Sequence, residues 1–243
     1  MKEDIRWLAL RLEAPLAAFG GVAIDQVGIT RDYPAASMLT GLIANALGWE
    51  RTQWQAHQSL QDRLVFAARR ECESPTDILT DNQNAQIEKN DQGWTTFGIP
   101  EGRDGANSGT HRRLRDYHTD LRMTVVLRLE PAAESPDLDA IAAALNFPAR
   151  PLFLGRKPCI PSMPILSGAV RAPSAYEALE RVLSTENATR TMRALWPVNE
   201  GPTKGEQVHR IVALPDLRNW KTGLHGGSRM VVEGTVVAGE VKV

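Results

Sequence analysis

The alternation over residues 121–129 limits the fold more than any other feature of this chain. Leu121, Met123, Val125, Leu127 and Leu129 fall on one face, with Arg122, Thr124 and Arg128 between them. A period of two belongs to a β-strand with one face in a core, and a helix does not satisfy it. Such a strand needs neighbours, because an isolated pair is marginal in water. Three other segments can supply them. Residues 5–12 place Leu8, Leu10 and Leu12 on one face and Trp7, Ala9 and Arg11 on the other. Ala14-Pro15 is expected to end that strand. Residues 64–72 and 152–154 are the remaining candidates.

Helical signals lie between them. Met38, Leu39, Leu42, Ile43, Ala46 and Leu47 recur at helical spacing over residues 34–47. Pro34 suits the start and Gly48 the stop. Ser135-Pro136-Asp137 opens a short helix over 138–145. The order is then strand, helix, strand, strand, helix, strand. This βαββαβ order is that of an α+β, ferredoxin-like or RRM-like sheet, expected to occupy residues 1–157. Residues 158–243 are expected to form a smaller, mostly β portion, with a helix near 175–183 and strands at 208–214 and 230–237. Between the second and third strands, residues 74–115 are polar, with Trp94, Phe97 and Ile99 as apolar islands. A stretch of that length is seldom a plain connector.

Residues 152–159 read Leu-Phe-Leu-Gly-Arg-Lys-Pro-Cys. Gly155 allows close backbone approach, and Arg156 and Lys157 follow it with two positive charges. From residue 145 to 171 there is no Asp or Glu, while Arg150, Arg156, Lys157 and Arg171 are present. In a chain of net charge -1 this local imbalance points to a polyanion on one face. The plainer alternative is a solvated turn after a strand. Near-neutral charge overall argues against a free-standing, non-specific nucleic-acid binder. The amino terminus lacks the apolar stretch of a signal peptide, and no apolar run is long enough for a bilayer. A cytoplasmic protein is expected, with no membrane partner. Two cysteines without clustered His make no zinc site, and no phosphate loop or carboxylate metal cluster stands out, so no cofactor is expected.

Four motifs, in order, resemble the Cas-five family of CRISPR effector complexes, and within it the type I-E branch. Leu-Arg-Leu-Glu-Ala-Pro-Leu-Ala-Ala-Phe-Gly at 10–20 resembles the family's opening strand and Pro-x-x-x-aromatic-Gly turn. Tyr33-Pro34-Ala35-Ala36-Ser37-Met38-Leu39-Thr40-Gly41-Leu42-Ile43 resembles its helix start. Arg115-Asp116-Tyr117 resembles its approach to the central strand. Phe153-Leu154-Gly155-Arg156-Lys157-Pro158-Cys159 resembles its aromatic-Leu-Gly-Arg segment. The resemblance implies a RAMP-type RRM-like body with a β-hairpin thumb over 74–115. It implies a structural, RNA-binding role in a Cascade ribonucleoprotein of antiviral defence. There the subunit would cap the crRNA 5′ handle, touch the large subunit and the adjacent backbone subunit, and meet target DNA only through the complex. Type I-C relatives process precursor crRNA, so a metal-independent endoribonuclease is the alternative.

These readings give the candidate RNA contacts. Gly155, Arg156 and Lys157 form the basic turn. Arg31, Tyr33 and Ser37 lie at the helix start, where unpaired N–H groups favour an anion. Tyr33 is open between base stacking and core packing, and Phe19 is expected in the core. Arg112, Arg113 and Arg115 belong to the densest basic run. No catalytic residue is expected; Tyr117 and His118 would serve the endoribonuclease alternative, although a lone His is more often structural.

Overall fold

The chain begins with β1 (Ile5–Ala17) and β2 (Val27–Gly28), then α1 (Ala36–Ala46), α2 (Trp54–Arg63) and β3 (Leu64–Arg70). Next come β4 (Ile78–Ala85), β5 (His111–Leu129), α3 (Leu138–Asn146) and β6 (Leu166–Ala172). It ends with α4 (Ala175–Arg181), β7 (Thr191–Pro197), β8 (Val208–Arg218) and β9 (His225–Val237). The computed structural model describes residues 3–21, 26–72, 78–85, 110–184 and 191–239. Trp94, Phe97 and Ile99 lie outside the described residues. Within them no helix is long and apolar enough to cross a membrane.

All described strands join one large sheet, in the order β6-β1-β5-β3-β7-β9-β8, with β2 and β4 added along β5. Every pairing is antiparallel except that of β2 with β5. The alternation at 121–129 places Met123, Val125, Leu127 and Leu129 in the larger core cluster and Val126 in the smaller one. β1 behaves likewise, with Leu8, Leu10 and Leu12 in the larger cluster and Trp7 in the smaller. A sheet buried on both faces holds its register firmly, because a one-residue slip exchanges the faces. α1 adds Leu39, Leu42, Ile43 and Ala46 to the larger cluster. The β8 strand reaches round to touch α1, and α4 covers the opposite face against β3, β5 and β6.

Several expectations need correction. β1 runs past Pro15 to Ala17. Beyond Leu10 it pairs with β5 but no longer with β6. Proline is tolerated on such an edge. Residues 152–154 form no strand. Leu154 N donates to Cys159 O (2.7 Å) and Cys159 N to Arg156 O (2.9 Å), so the chain reverses at once. β6 instead lies beside β1. After β3, β4 is set against the first half of β5 as a paired arm, from Ile78 opposite His118 to Ala85 opposite His111. Asp120, with φ +47, marks where β5 passes from body to arm. Asp is among the residues that tolerate this conformation.

Candidate nucleic-acid interface

Gly155 has φ +91, and a Cβ on it would lie 1.6 Å from Ala18 O. The close approach this glycine permits is therefore to the chain's own backbone. Ala18 N, just past β1, donates to Leu154 O (3.1 Å) and fixes the turn to the end of that strand. Cys159, fully buried, anchors the other end, and burial pushes its thiol up.

Arg156 is a brace rather than a free cation. Its Nη1 donates to Asp116 O (3.0 Å) in β5 and its Nη2 to Gly28 O (2.9 Å) in β2. Its guanidinium sits 4.7 Å from the Tyr117 ring centroid, a cation–π distance. Arg115 Nη1 donates to Gln26 O (3.1 Å) and Leu114 O (2.9 Å). Gly28 lies between the two arginines: a Cβ there would meet Arg156 Nη2 at 2.8 Å and Arg115 Cδ at 2.9 Å. Two hydrogen bonds leave Arg156 with donors still able to serve a phosphate. Lys157, Arg112 and Arg113 are exposed, Arg113 donating to Arg112 O (3.2 Å).

The start of α1 is already supplied with an anion. Ala36 N donates to Asp216 Oδ2 (3.1 Å), and Asp216 in turn accepts from Arg229 Nε at 3.1 and 2.9 Å. This carboxylate does the work of an N-cap from 180 residues away. Arg31 Nη2 donates to Pro215 O (2.7 Å). Burial holds Arg31 below its ordinary value, with Asp216 opposing. Tyr33 belongs to the core cluster, and burial pushes its phenol up. Ser37, in the first turn of α1, is half-buried.

Tyr117 and His118 are buried, and Phe19 packs 5.5 Å from the His118 ring centroid. His118 Nε2 lies 2.7 Å from Arg31 O. The other two arginines of the acid-free stretch lie on different elements. Arg150 donates to Trp49 O (2.7 Å) and Gly48 O (3.0 Å), closing the end of α1, while Arg171 lies on β6.

A cleft of about 350 Å³ brings three of the candidates together. Ser37 from α1, and Gly155 and Arg156 from the turn, line it with the Phe19-Gly20 turn, Phe153, Arg218 and Trp220. Its volume is at the small end of ligand sites, roughly 300–1,000 Å³. Arg218 and Trp220 escape a motif search. Their signal is the interleaving of cations and aromatics in Arg218-Asn219-Trp220-Lys221, matched by Trp49, Arg51 and Trp54.

Comparison with known proteins gives a consistent result. The family model described as CRISPR-associated protein (Cas_Cas5) matches residues 7–232. The CRISPR system Cascade subunit CasD of Escherichia coli (strain K12) is 29% identical over 174 residues, covering 71% of this chain and 75% of that protein. A chain of a solved CRISPR RNA-guided surveillance complex superposes with TM-score 0.65 at 24% identity, over 96% of this chain and 91% of that one. A Cas protein crystal structure gives TM-score 0.63 at 23% identity, over 98% and 100%. These two structures share the fold.

Proposed function

Because this chain belongs to the Cas-five family of CRISPR-associated proteins, we propose that it is a non-catalytic, RNA-binding subunit of a type I CRISPR Cascade effector. It caps the 5′ handle of the crRNA, contacts the large subunit and the adjacent backbone subunit, and meets target DNA only through the complex. The unit β6-β1-β5-β3, with α1 and α3 as its crossovers, is read as the ferredoxin-like RAMP body, and the β4–β5 arm as its thumb. The relative named as a Cascade subunit supports the assembly.

One observation carries the RNA reading. Arg156 ties the turn to β2 and to the start of β5 through Gly28 O and Asp116 O. Lys157 follows Arg156 in that turn, and Arg112 and Arg113 precede Asp116 on β5, all three exposed. Such contacts position a strand without reading its bases. The test is ultraviolet crosslinking of the assembled complex with crRNA carrying 4-thiouridine in the handle. Crosslinked peptides spanning 112–117 and 153–159 are expected; crosslinks confined to other subunits would overturn the reading.

The alternative is a metal-independent endoribonuclease using Tyr117 and His118. The Arg156 cation over Tyr117 favours it. Yet a general base must reach the proton it abstracts, and His118 is fully buried with Nε2 on Arg31 O. Cleavage of labelled repeat RNA in EDTA, lost in His118→Ala, would support the alternative. No cleavage by the unaltered protein would remove it.

A further inference from the structure

A second cationic site lies on the other side of the cleft. Arg218 ends β8 and lines the cleft, and Arg51 lies in the connection between α1 and α2. Their guanidiniums converge over Gly223. A Cβ on Gly223 would lie 3.3 Å from Arg218 Nη2 and 3.4 Å from Arg51 Nη2. The glycine, with φ +76, leaves that space open between two like charges. Among the described residues no carboxylate forms an ion pair with either arginine. Arg218 Nε is buried without a hydrogen-bond partner. Burial and the Arg51 cation hold Arg218 below its ordinary value. Arg51 is exposed and Arg218 half-buried, 5.1 Å from the Trp220 ring centroid, so the two guanidiniums face each other with no acid between them and remain open to an anion.

The site is also rigid. Gln61 of α2 donates to Arg218 O (2.9 Å) and accepts from Arg218 N and Trp220 Nε1, both at 3.1 Å. The 219–224 loop is closed by Asn219 N to Leu224 O (3.0 Å) and Gly223 N to Asn219 O (2.8 Å). Asn219 Oδ1 accepts from Lys221 N (3.1 Å) and Thr222 N (3.0 Å). Lys221 itself lies 5.6 Å from the Trp54 ring centroid, adding a third cation nearby. A fixed fork of N–H donors around an open point suits the tetrahedral oxygens of a phosphate.

We propose that Arg51 and Arg218 clamp a phosphodiester of the bound single-stranded RNA, a contact separate from the 155–157 turn and reached by the strand across the cleft. This rests on the RNA-binding reading above. The clamp fixes the path of the strand rather than its sequence.

The test is fluorescence anisotropy of the full chain with a 5′-fluorescein-labelled single-stranded repeat RNA over a series of salt concentrations. Arg51 is exposed, so Arg51→Glu leaves the fold intact; Arg51→Gln with Arg218→Gln removes both cations. Each is expected to weaken binding, by about fivefold or more for the double variant, and to reduce the salt slope by about 0.7 for each phosphate no longer neutralised. Arg51→Lys, which keeps the charge, is expected to retain most of the affinity. Unchanged affinity and slope in both Arg51→Glu and the double variant overturn the clamp. If a Lys157→Ala, Arg112→Ala, Arg113→Ala triple variant loses binding while those two do not, the clamp falls and the RNA reading stands. If the unaltered chain does not bind the RNA, both fall. Unchanged RNA affinity with loss of the subunit from the assembled complex would assign the arginines to an acidic protein surface, and the clamp again falls.

Discussion

Gly155→Ala tests whether the basic turn is built by close backbone approach. Two effects act at this position. The left-handed conformation at φ +91 costs an L residue about 1–2 kcal/mol. The added Cβ would also stand 1.6 Å from Ala18 O, far inside van der Waals contact, so backbone must move. Forced overpacking costs about 1–3 kcal/mol more. The total expected loss is about 2–5 kcal/mol. Gly20 separates the two effects, for it has φ +63 but nothing within 4 Å of where a Cβ would stand. Gly20→Ala should therefore lose only about 1 kcal/mol, from conformation alone. Urea unfolding of both variants reads the difference, as a lower midpoint with an unchanged slope against denaturant. Thermal midpoints should fall by about 2–4 °C per kcal/mol. If the two variants lose stability equally, within about 0.5 kcal/mol, the turn is not set by its contact with Ala18.

Two further outcomes follow from buried charge. Asp216→Ala leaves half-buried Arg229 without its carboxylate and α1 without its cap. It should lose about 3–5 kcal/mol in urea unfolding, and Asp216→Asn, which keeps an acceptor, less; equal small losses would show that Asp216 does not hold β8 to α1. Burial, and then Glu177, push the Glu180 carboxyl above its ordinary value, with Arg181 opposing. The folded state then keeps this proton to higher pH than the unfolded state, so stability falls as pH rises through the window just above the ordinary glutamate value. Glu180→Gln should flatten that slope and raise the thermal midpoint at neutral pH; an unaltered slope would contradict the assignment.

The parts of the fold legible in the sequence are those whose buried faces are apolar and periodic. β5 and α1 are of this kind. α2 is not, because the face it buries is made of His57, Leu60, Gln61 and Arg63. Arg63 there donates to the carbonyls of Pro131, Glu134, Ser135 and Pro136, a role no local pattern announces. The apolar Leu152-Phe153-Leu154 reads as a strand, yet Gly155 turns it back before any ladder forms. The basic turn is visible as Gly-Arg-Lys, but its division of labour is not. Arg156 is committed to Asp116 O and Gly28 O, and the exposed charge is left to Lys157. The carboxylate at α1 and the pairing of Arg51 with Arg218 depend on β8 folding back over α1; the interleaved cations and aromatics mark each segment, but nothing local shows that they meet.

The central claim is that the exposed cations Lys157, Arg112 and Arg113 hold the 5′ end of a guide RNA. The most direct measurement is the salt dependence of guide-RNA binding by the assembled subunit with Lys157→Ala, Arg112→Ala and Arg113→Ala together, Arg156 being left in place so that the turn keeps its brace. The account predicts weaker binding and a slope against log salt shallower by about 2, near 0.7 for each phosphate that loses its cation. An unchanged affinity and an unchanged slope would contradict it.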